Sequence, residues 1–278
     1  MSLAQHQPLY PGCEPYPGYK LRQPISHGAF GQVWEAETRE GTVALKFVPA
    51  NDPLINAKEI RAIQTIRQLR HSGLVRIDQV WTHLGYIIIA MELAEGSLLD
   101  LLEAYQAELG APVAPEELVG FLTQVAEVLD FLNARQHLID GRRVAIQHCD
   151  VKPSNVLVFG DTAKLCDFGL SSTTGAALRQ HDRAGTLDYA APEVFQGRLS
   201  DWTDQYALAV TYVHLRTGTL PFTDTPARFV ASYVRPAPNL AALSKPEQAI
   251  VARGLAPIPQ DRWPSCRELV TRLTQVIV

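Results

Sequence analysis

The hydrophobic pattern changes character once, near Leu93, and that change limits the fold more than any other feature of the 278-residue sequence. From Tyr19 to Met91 the apolar residues come in short alternating or β-rich runs: Tyr19 to Ile25, Gln32 to Glu37, Thr42 to Val48, Val75 to Trp81, and Tyr86 to Met91. One helical pattern interrupts them, from about Asn56 to Arg70, with Ile60, Ile63, Ile66 and Leu69 recurring on one face. After Leu93 long helical patterns take over, at Leu98 to Leu109, Glu116 to Gln136, Asp204 to Arg216, and Cys266 to Val278. Short strands, Val156 to Val158 and Ala163 to Cys166, lie between the second and third of these, flanked by loops rich in Asp, Asn and Gly of the kind that carry chemistry on a rigid scaffold. The expectation is an α+β chain: a small first lobe of five strands and one helix over residues 19–93, and a larger, mainly helical lobe over residues 94–278. Ahead of both, Pro8, Pro11, Pro15 and Pro17 with Gly12 and Gly18 work against regular structure, so residues 1–18 read as an extended lead-in.

Totals exclude classes rather than choose one. With 25 basic against 29 acidic residues and a net charge of −4, nothing draws the chain toward nucleic acid or an anionic membrane. Cys13, Cys149, Cys166 and Cys266 form no C-x-x-C pair, which fits neither a zinc site nor a secreted disulfide framework; a reducing cytoplasm is the expected compartment. No apolar run approaches the roughly 20 residues of a membrane span, and the amino terminus has no signal-peptide pattern, so no membrane segment is expected in this chain.

Five short stretches carry polar residues in patterns that chemistry uses. Ile25-Ser26-His27-Gly28-Ala29-Phe30-Gly31-Gln32-Val33 lies between two strand candidates; its glycines would let a backbone approach a ligand closely, or would only make a turn. Val43-Ala44-Leu45-Lys46 puts an ammonium on the following strand, and Glu59 is the one acid in the helical pattern, where it reads either as a partner for Lys46 or as the end of the capping box Asn56-Ala57-Lys58-Glu59. His148-Cys149-Asp150-Val151-Lys152-Pro153-Ser154-Asn155 concentrates an acid, a base and an amide in a loop ahead of a strand. Asp167-Phe168-Gly169 follows, and then Gly185-Thr186-Leu187-Asp188-Tyr189-Ala190-Ala191-Pro192-Glu193.

In this order and spacing the five stretches resemble the eukaryotic-type (Hanks-type) serine/threonine protein kinases, over residues 19–275 and in the style of bacterial members. The resemblance implies a bilobal kinase-like fold with a five-stranded antiparallel sheet. It implies transfer of the γ-phosphate of ATP to serine or threonine hydroxyls of a protein substrate, with Mg²⁺ as cofactor and Mn²⁺ as an alternative, and with the capacity to autophosphorylate. Phosphoryl transfer asks the protein mainly for positioning and neutralisation of phosphate charge. By resemblance, Lys46 would hold the α and β phosphates with Glu59 orienting it, Asp167 and Asn155 would bind the metal, Asp150 would align the substrate hydroxyl, and Lys152 would sit near the transferred phosphate. Ser26, Gly28, Phe30 and Gly31 would cover the phosphates, while Val33, Ala44, Leu157, Met91, Glu92 and Ala94 would frame the adenine. Asp204 resembles the buried acid that braces the catalytic loop, with a helix N-cap as the alternative, and Arg262 resembles the late arginine that pairs with Glu193. A pseudokinase scaffold or a kinase-like small-molecule phosphotransferase are the rival readings.

Two departures stand out. Ser26 occupies the place of the first glycine of G-x-G-x-x-G. Cys149 replaces the arginine of H-R-D, so a phosphate on the segment holding Ser171, Ser172, Thr173 and Thr174 would lack its usual partner, and activity is not expected to depend strictly on phosphorylation there.

Overall fold

A computed structural model of the chain describes residues 8–28, 31–50, 60, 63, 64, 67–139, 141–173, 187–226 and 230–277. They fall into two compact units, one of Met1–Arg70 with Val75–Ala94 and the other of His71–Leu74 with Glu95–Val278.

The first unit is built on a five-stranded antiparallel sheet of β1 (Lys20–Gly28), β2 (Gly31–Thr38), β3 (Gly41–Pro49), β4 (Ile77–His83) and β5 (Tyr86–Glu92), in the order β1-β2-β3-β5-β4. Pro24, which cannot donate to a ladder, sits on the edge strand β1 at a shift in register, where its missing N–H costs nothing. Alternation sorts the residues of β3 and β5 onto two faces, and both faces are covered. Leu45, Phe47, Ile88 and Ala90 join Leu21, Trp34, Ala36 and Tyr86 in one cluster; Val48, Ile87 and Ile89 join Ile63 in the other. Residues 60, 63, 64, 67 and 68 are helical, and Ile60 packs on that second cluster with Ile63.

The lead-in is not loose. Leu9 and Cys13 pack on the first cluster, Gly12 N donates to Leu21 O at 2.8 Å, Leu21 N donates to Cys13 O at 2.9 Å, and the Tyr16 ring lies 4.7 Å from that of Trp81. Prolines deny the segment a ladder of its own, but they do not prevent it from docking its few apolar side chains on a sheet face that would otherwise meet water.

In the second unit β6 (Gly96–Ser97) leads into α1 (Leu98–Leu109), which starts on a capping box between Ser97 and Asp100 and ends on left-handed Gly110. Then come α2 (Pro115–Asn133), β7 (His137–Ile139), β8 (Arg142–Val144), β9 (Ile146–Gln147), β10 (Val156–Phe159), β11 (Thr162–Leu165) and β12 (Ser172–Thr173). Three more helices follow, α3 (Thr203–Thr217), α4 (Lys245–Gly254) and α5 (Cys266–Ile277). Nearly every residue of α3 is buried, so this helix forms the centre of the unit. His71–Leu74 belong here rather than with the strands around them, because Leu165 N donates to Gly73 O at 2.8 Å and Leu74 bridges Leu165. None of the described helices is long and apolar enough to cross a membrane.

Candidate active site

The loop between β9 and β10 gathers two of the predicted side chains onto the carboxylate of a third. Lys152 Nζ donates to Asp150 Oδ2 at 2.8 Å, and Asn155 Nδ2 donates to the same oxygen at 2.9 Å and to the Asp150 carbonyl at 2.7 Å. Asp150 is only 6% exposed, so these charge-assisted bonds act where water screens them little. Pro153 opens the 3₁₀ turn Pro153–Asn155 that carries Asn155 back toward Asp150.

The loop is tied to the segment of Asp167 at two points. Cys166 N donates to Asn155 O at 3.0 Å, and His148 Nε2 donates to Cys166 O at 2.8 Å while its ring stands edge-on to Phe168 with centroids 4.5 Å apart. Asp150 N donates to His148 Nδ1 at 3.3 Å, so this network places the imidazole proton on Nε2. Two non-glycine residues beside this junction have left-handed backbone, Cys149 at φ 68° and Asp167 at φ 63°, a conformation that costs about 1–3 kcal/mol and persists only where surroundings enforce it. For Cys149 the enforcement comes from Asp204 at the start of α3, whose carboxylate accepts His148 N at 2.6 Å and Cys149 N at 2.9 Å. Burial pushes the Asp204 carboxyl up from its ordinary value, against the pull of those two N–H groups.

A second buried acid, Glu193, is held at the start of the same helix. Arg262, 1% exposed, grips Glu193 with both terminal nitrogens, Nη1 to Oε1 at 2.9 Å and Nη2 to Oε2 at 2.8 Å, and Ser200 and Thr203 hydroxyls donate to Oε1. Burial alone would raise the Glu193 carboxyl, but the Arg262 bonds and charge outweigh it and hold the group below its usual value.

In the first unit, strand register places the other predicted residues. Lys46 on β3 stands opposite Val33 on β2 and Ile89 on β5, and Ala44 stands opposite Met91, so Val33, Ala44, Lys46 and Met91 share the sheet face that also carries Val48, Ile87 and Ile89. Glu92 Oε1 accepts Arg76 N at 2.7 Å, and Ala94 ends the unit. Ser26 pairs with Val33 and lacks a left-handed backbone, which is why this position tolerates a side chain. Gly31 does not: its φ is 121° and a Cβ there would lie 2.0 Å from Phe47 O, so the residue is glycine for a steric reason inside the sheet, apart from any ligand. Leu157 lies on β10, in the second unit, opposite Ser97 and Lys164. Glu59 and Phe30, with Thr174, Gly185 and Thr186, lie outside the described residues.

Sequence reasoning missed the grip of Ser200 and Thr203 on Glu193, the bond from Tyr189 to His214, and the contacts of Arg235 with residues 187–190. No local pattern announces such pairs. Helix α4 was also missed, although Ser244-Lys245-Pro246-Glu247 spells a capping box with proline in the first turn, and that signal was there to be read.

The family model of the protein kinase domain matches residues 19–275, and the chain belongs to that family. Serine/threonine-protein kinase PknH of Mycobacterium bovis is 34% identical over 267 residues, 90% of this chain and 42% of that protein. Serine/threonine-protein kinase PknE of Mycobacterium tuberculosis is 31% identical over 265 residues, 90% of this chain and 44% of that protein. The chain thus spans less than half the length of these relatives. Among solved structures, the kinase domain of Mycobacterium tuberculosis PknI superposes with a TM-score of 0.71 at 26% identity, covering 96% of this chain and 99% of that one.

Proposed function

We propose that this chain is an ATP-dependent protein kinase that phosphorylates serine and threonine hydroxyls of proteins, itself included. The observation that carries the reading is the shared carboxylate oxygen of Asp150, bonded by Lys152 at 2.8 Å and Asn155 at 2.9 Å. A carboxylate so fixed accepts the hydrogen bond of an incoming hydroxyl and aims its oxygen, while the Lys152 ammonium, 2.8 Å away, offsets charge on the group being transferred. Lys46 on β3 is the cation for the α and β phosphates, with Glu59 as its orienting partner in the family's pattern. Ser26, Gly28, Phe30 and Gly31 are the phosphate cover, and Val33, Ala44, Met91, Glu92, Ala94 and Leu157 the adenine contacts.

The donor set suits a hard cation. Among the described residues no cluster of three or more His, Cys, Asp or Glu side chains could hold a metal, so a site here needs phosphate oxygens to complete it, as Mg²⁺ sites in phosphoryl transfer commonly do. Asp167 offers carboxylate oxygens, and Asn155, whose Nδ2 is committed to Asp150, offers its amide oxygen. Bound there, Mg²⁺ or Mn²⁺ neutralises phosphate charge. Cys13, Cys149, Cys166 and Cys266 form no disulfide, which fits a reducing, cytoplasmic setting.

Purified chain, radiolabelled ATP, Mg²⁺ and a generic basic protein test the reading. Label appears on serine or threonine, and Asp150→Asn and Asp167→Asn each reduce the rate by about a hundredfold or more. Absence of transfer to any protein, the chain included, would overturn it in favour of a scaffold or a small-molecule kinase.

A further inference from the structure

One cation outside the set of reacting groups has an unusual set of partners. Arg235 sits on the irregular segment before α4, and its guanidinium donates to three backbone carbonyls of a single four-residue stretch. Nε bonds Ala190 O at 3.0 Å, and Nη2 bonds Asp188 O at 2.9 Å, Ala190 O at 2.9 Å and Leu187 O. Nη1 bonds Thr225 Oγ1 at 3.0 Å. The faces of three aromatic rings surround the guanidinium, with centroids 4.5 Å (Phe222), 5.6 Å (Phe195) and 5.9 Å (Tyr233) from its carbon. No carboxylate among the described residues pairs with it. Carbonyl dipoles and ring quadrupoles therefore hold the charge, an arrangement suited to a planar fork and not to a compact ammonium.

The stretch it grips is the 3₁₀ turn Leu187–Tyr189 and Ala190, which leads directly into Ala191-Pro192-Glu193. Tyr189 faces inward and its hydroxyl meets His214 Nδ1 on α3 at 2.7 Å. Leu187 and Asp188 are half-buried. With Tyr189 fixed from α3 and three carbonyls fixed by Arg235, the peptide planes of this turn have little freedom left. Arg235 is itself only half-buried, and its neighbour Val234 is 83% exposed, so this segment serves the turn rather than the core.

On the kinase reading the segment running into Ala191-Pro192-Glu193 is the ledge on which a polypeptide docks, and we infer that Arg235, by setting the orientation of its residues 187–190, is a positioning residue for the protein substrate. The inference rests on the kinase reading above and adds to it a residue that acts on docking alone, by way of the ledge.

The test compares the chain with Arg235→Gln and Arg235→Lys in steady-state phosphorylation of a serine-containing peptide, alongside amide hydrogen exchange without substrate. Loss of the fork raises the peptide KM of Arg235→Gln about tenfold, the scale expected for lost bonds to a charged group. Its kcat and its KM for ATP stay within about twofold, the split that separates binding from chemistry. Arg235→Lys, which keeps the charge but not the fork, falls between the two and carries the test if the glutamine variant fails to fold. Exchange quickens at residues 187–190 and is unchanged in α3. An unchanged peptide KM, or kcat and both KM values worsening together, would overturn the docking role. Unchanged exchange at 187–190 would overturn the anchor itself. A wild-type chain that transfers no phosphate, with exchange still faster in the variants, would sink the kinase reading and the docking role with it while upholding the anchor.

Discussion

Single residues in this chain show two kinds of constraint, and the Glu193 pair shows how strongly the second kind acts. Gly31 is constrained sterically by one carbonyl, Phe47 O; Glu193 is constrained electrostatically by Arg262, with which it shares a site almost without water. Removing one member of a buried pair leaves the other charged and alone, at a cost of about 3–5 kcal/mol. The pair also fixes a pH dependence. Because folding lowers the Glu193 pKa below its unfolded value near 4.5, its contribution is complete above that value and is lost as pH falls through the folded one. Urea unfolding between about pH 7 and pH 3 checks this: Glu193→Gln is less stable at neutral pH, and its stability falls less steeply than that of the parent below about pH 4.5. Parallel acid limbs in the two proteins would remove the pair as their cause. Glu193 and Arg262 could both be named from the motif, but the hydroxyls of Ser200 and Thr203 that complete the site could not, since nothing in a local pattern distinguishes them from other serines and threonines.

At the scale of elements, periodicity served best where one face is apolar and the other is not. The pattern over Leu98–Leu109 matches its helix to the residue, and the structure bounds that stripe with a capping box and a glycine. Helix α2 begins one residue earlier and ends three residues earlier than its pattern suggests, since Ala134, Arg135 and Gln136 continue the composition but not the hydrogen bonding. The lead-in is the instructive case. Its proline content identified irregular backbone, yet Leu9 and Cys13 pack on the cluster of Leu45, Phe47 and Ile88 and make the segment part of the first unit. Deleting residues 1–18 uncovers that face and lowers stability by about 3 kcal/mol, the scale of one or two apolar side chains returned to water. Chemical unfolding of the truncated and full chains measures it; equal midpoints would mean that the lead-in rests on the sheet without stabilising it.

For the molecule as a whole, the near-neutral charge gives no hint of a polyanionic ligand, and the proposed function needs none, since it assigns that role to Lys46 and Lys152 locally. Where the family commonly couples its catalytic acid to a phosphate through arginine, this chain has Cys149, whose thiol turns to Gln147 O at 3.5 Å. Phosphatase-treated protein and protein pre-incubated with ATP therefore turn over within about fivefold of one another, because Cys149 brings no charge to the place from which an arginine would receive the phosphate. A hundredfold rise after pre-incubation would refute this. What the sequence determined by itself was the order of the family motifs and the candidate reacting groups they hold, because each motif lies within about ten residues and its chemistry depends on side-chain type. Tertiary structure alone decided which distant groups hold them in place. Asp204 reaches Cys149 across 55 residues, Arg262 reaches Glu193 across 69, and Arg235 reaches Ala190 across 45. An apolar stripe tells a chain which face to bury but not against what, and a lone arginine or aspartate acquires its partners only when packing closes those long loops.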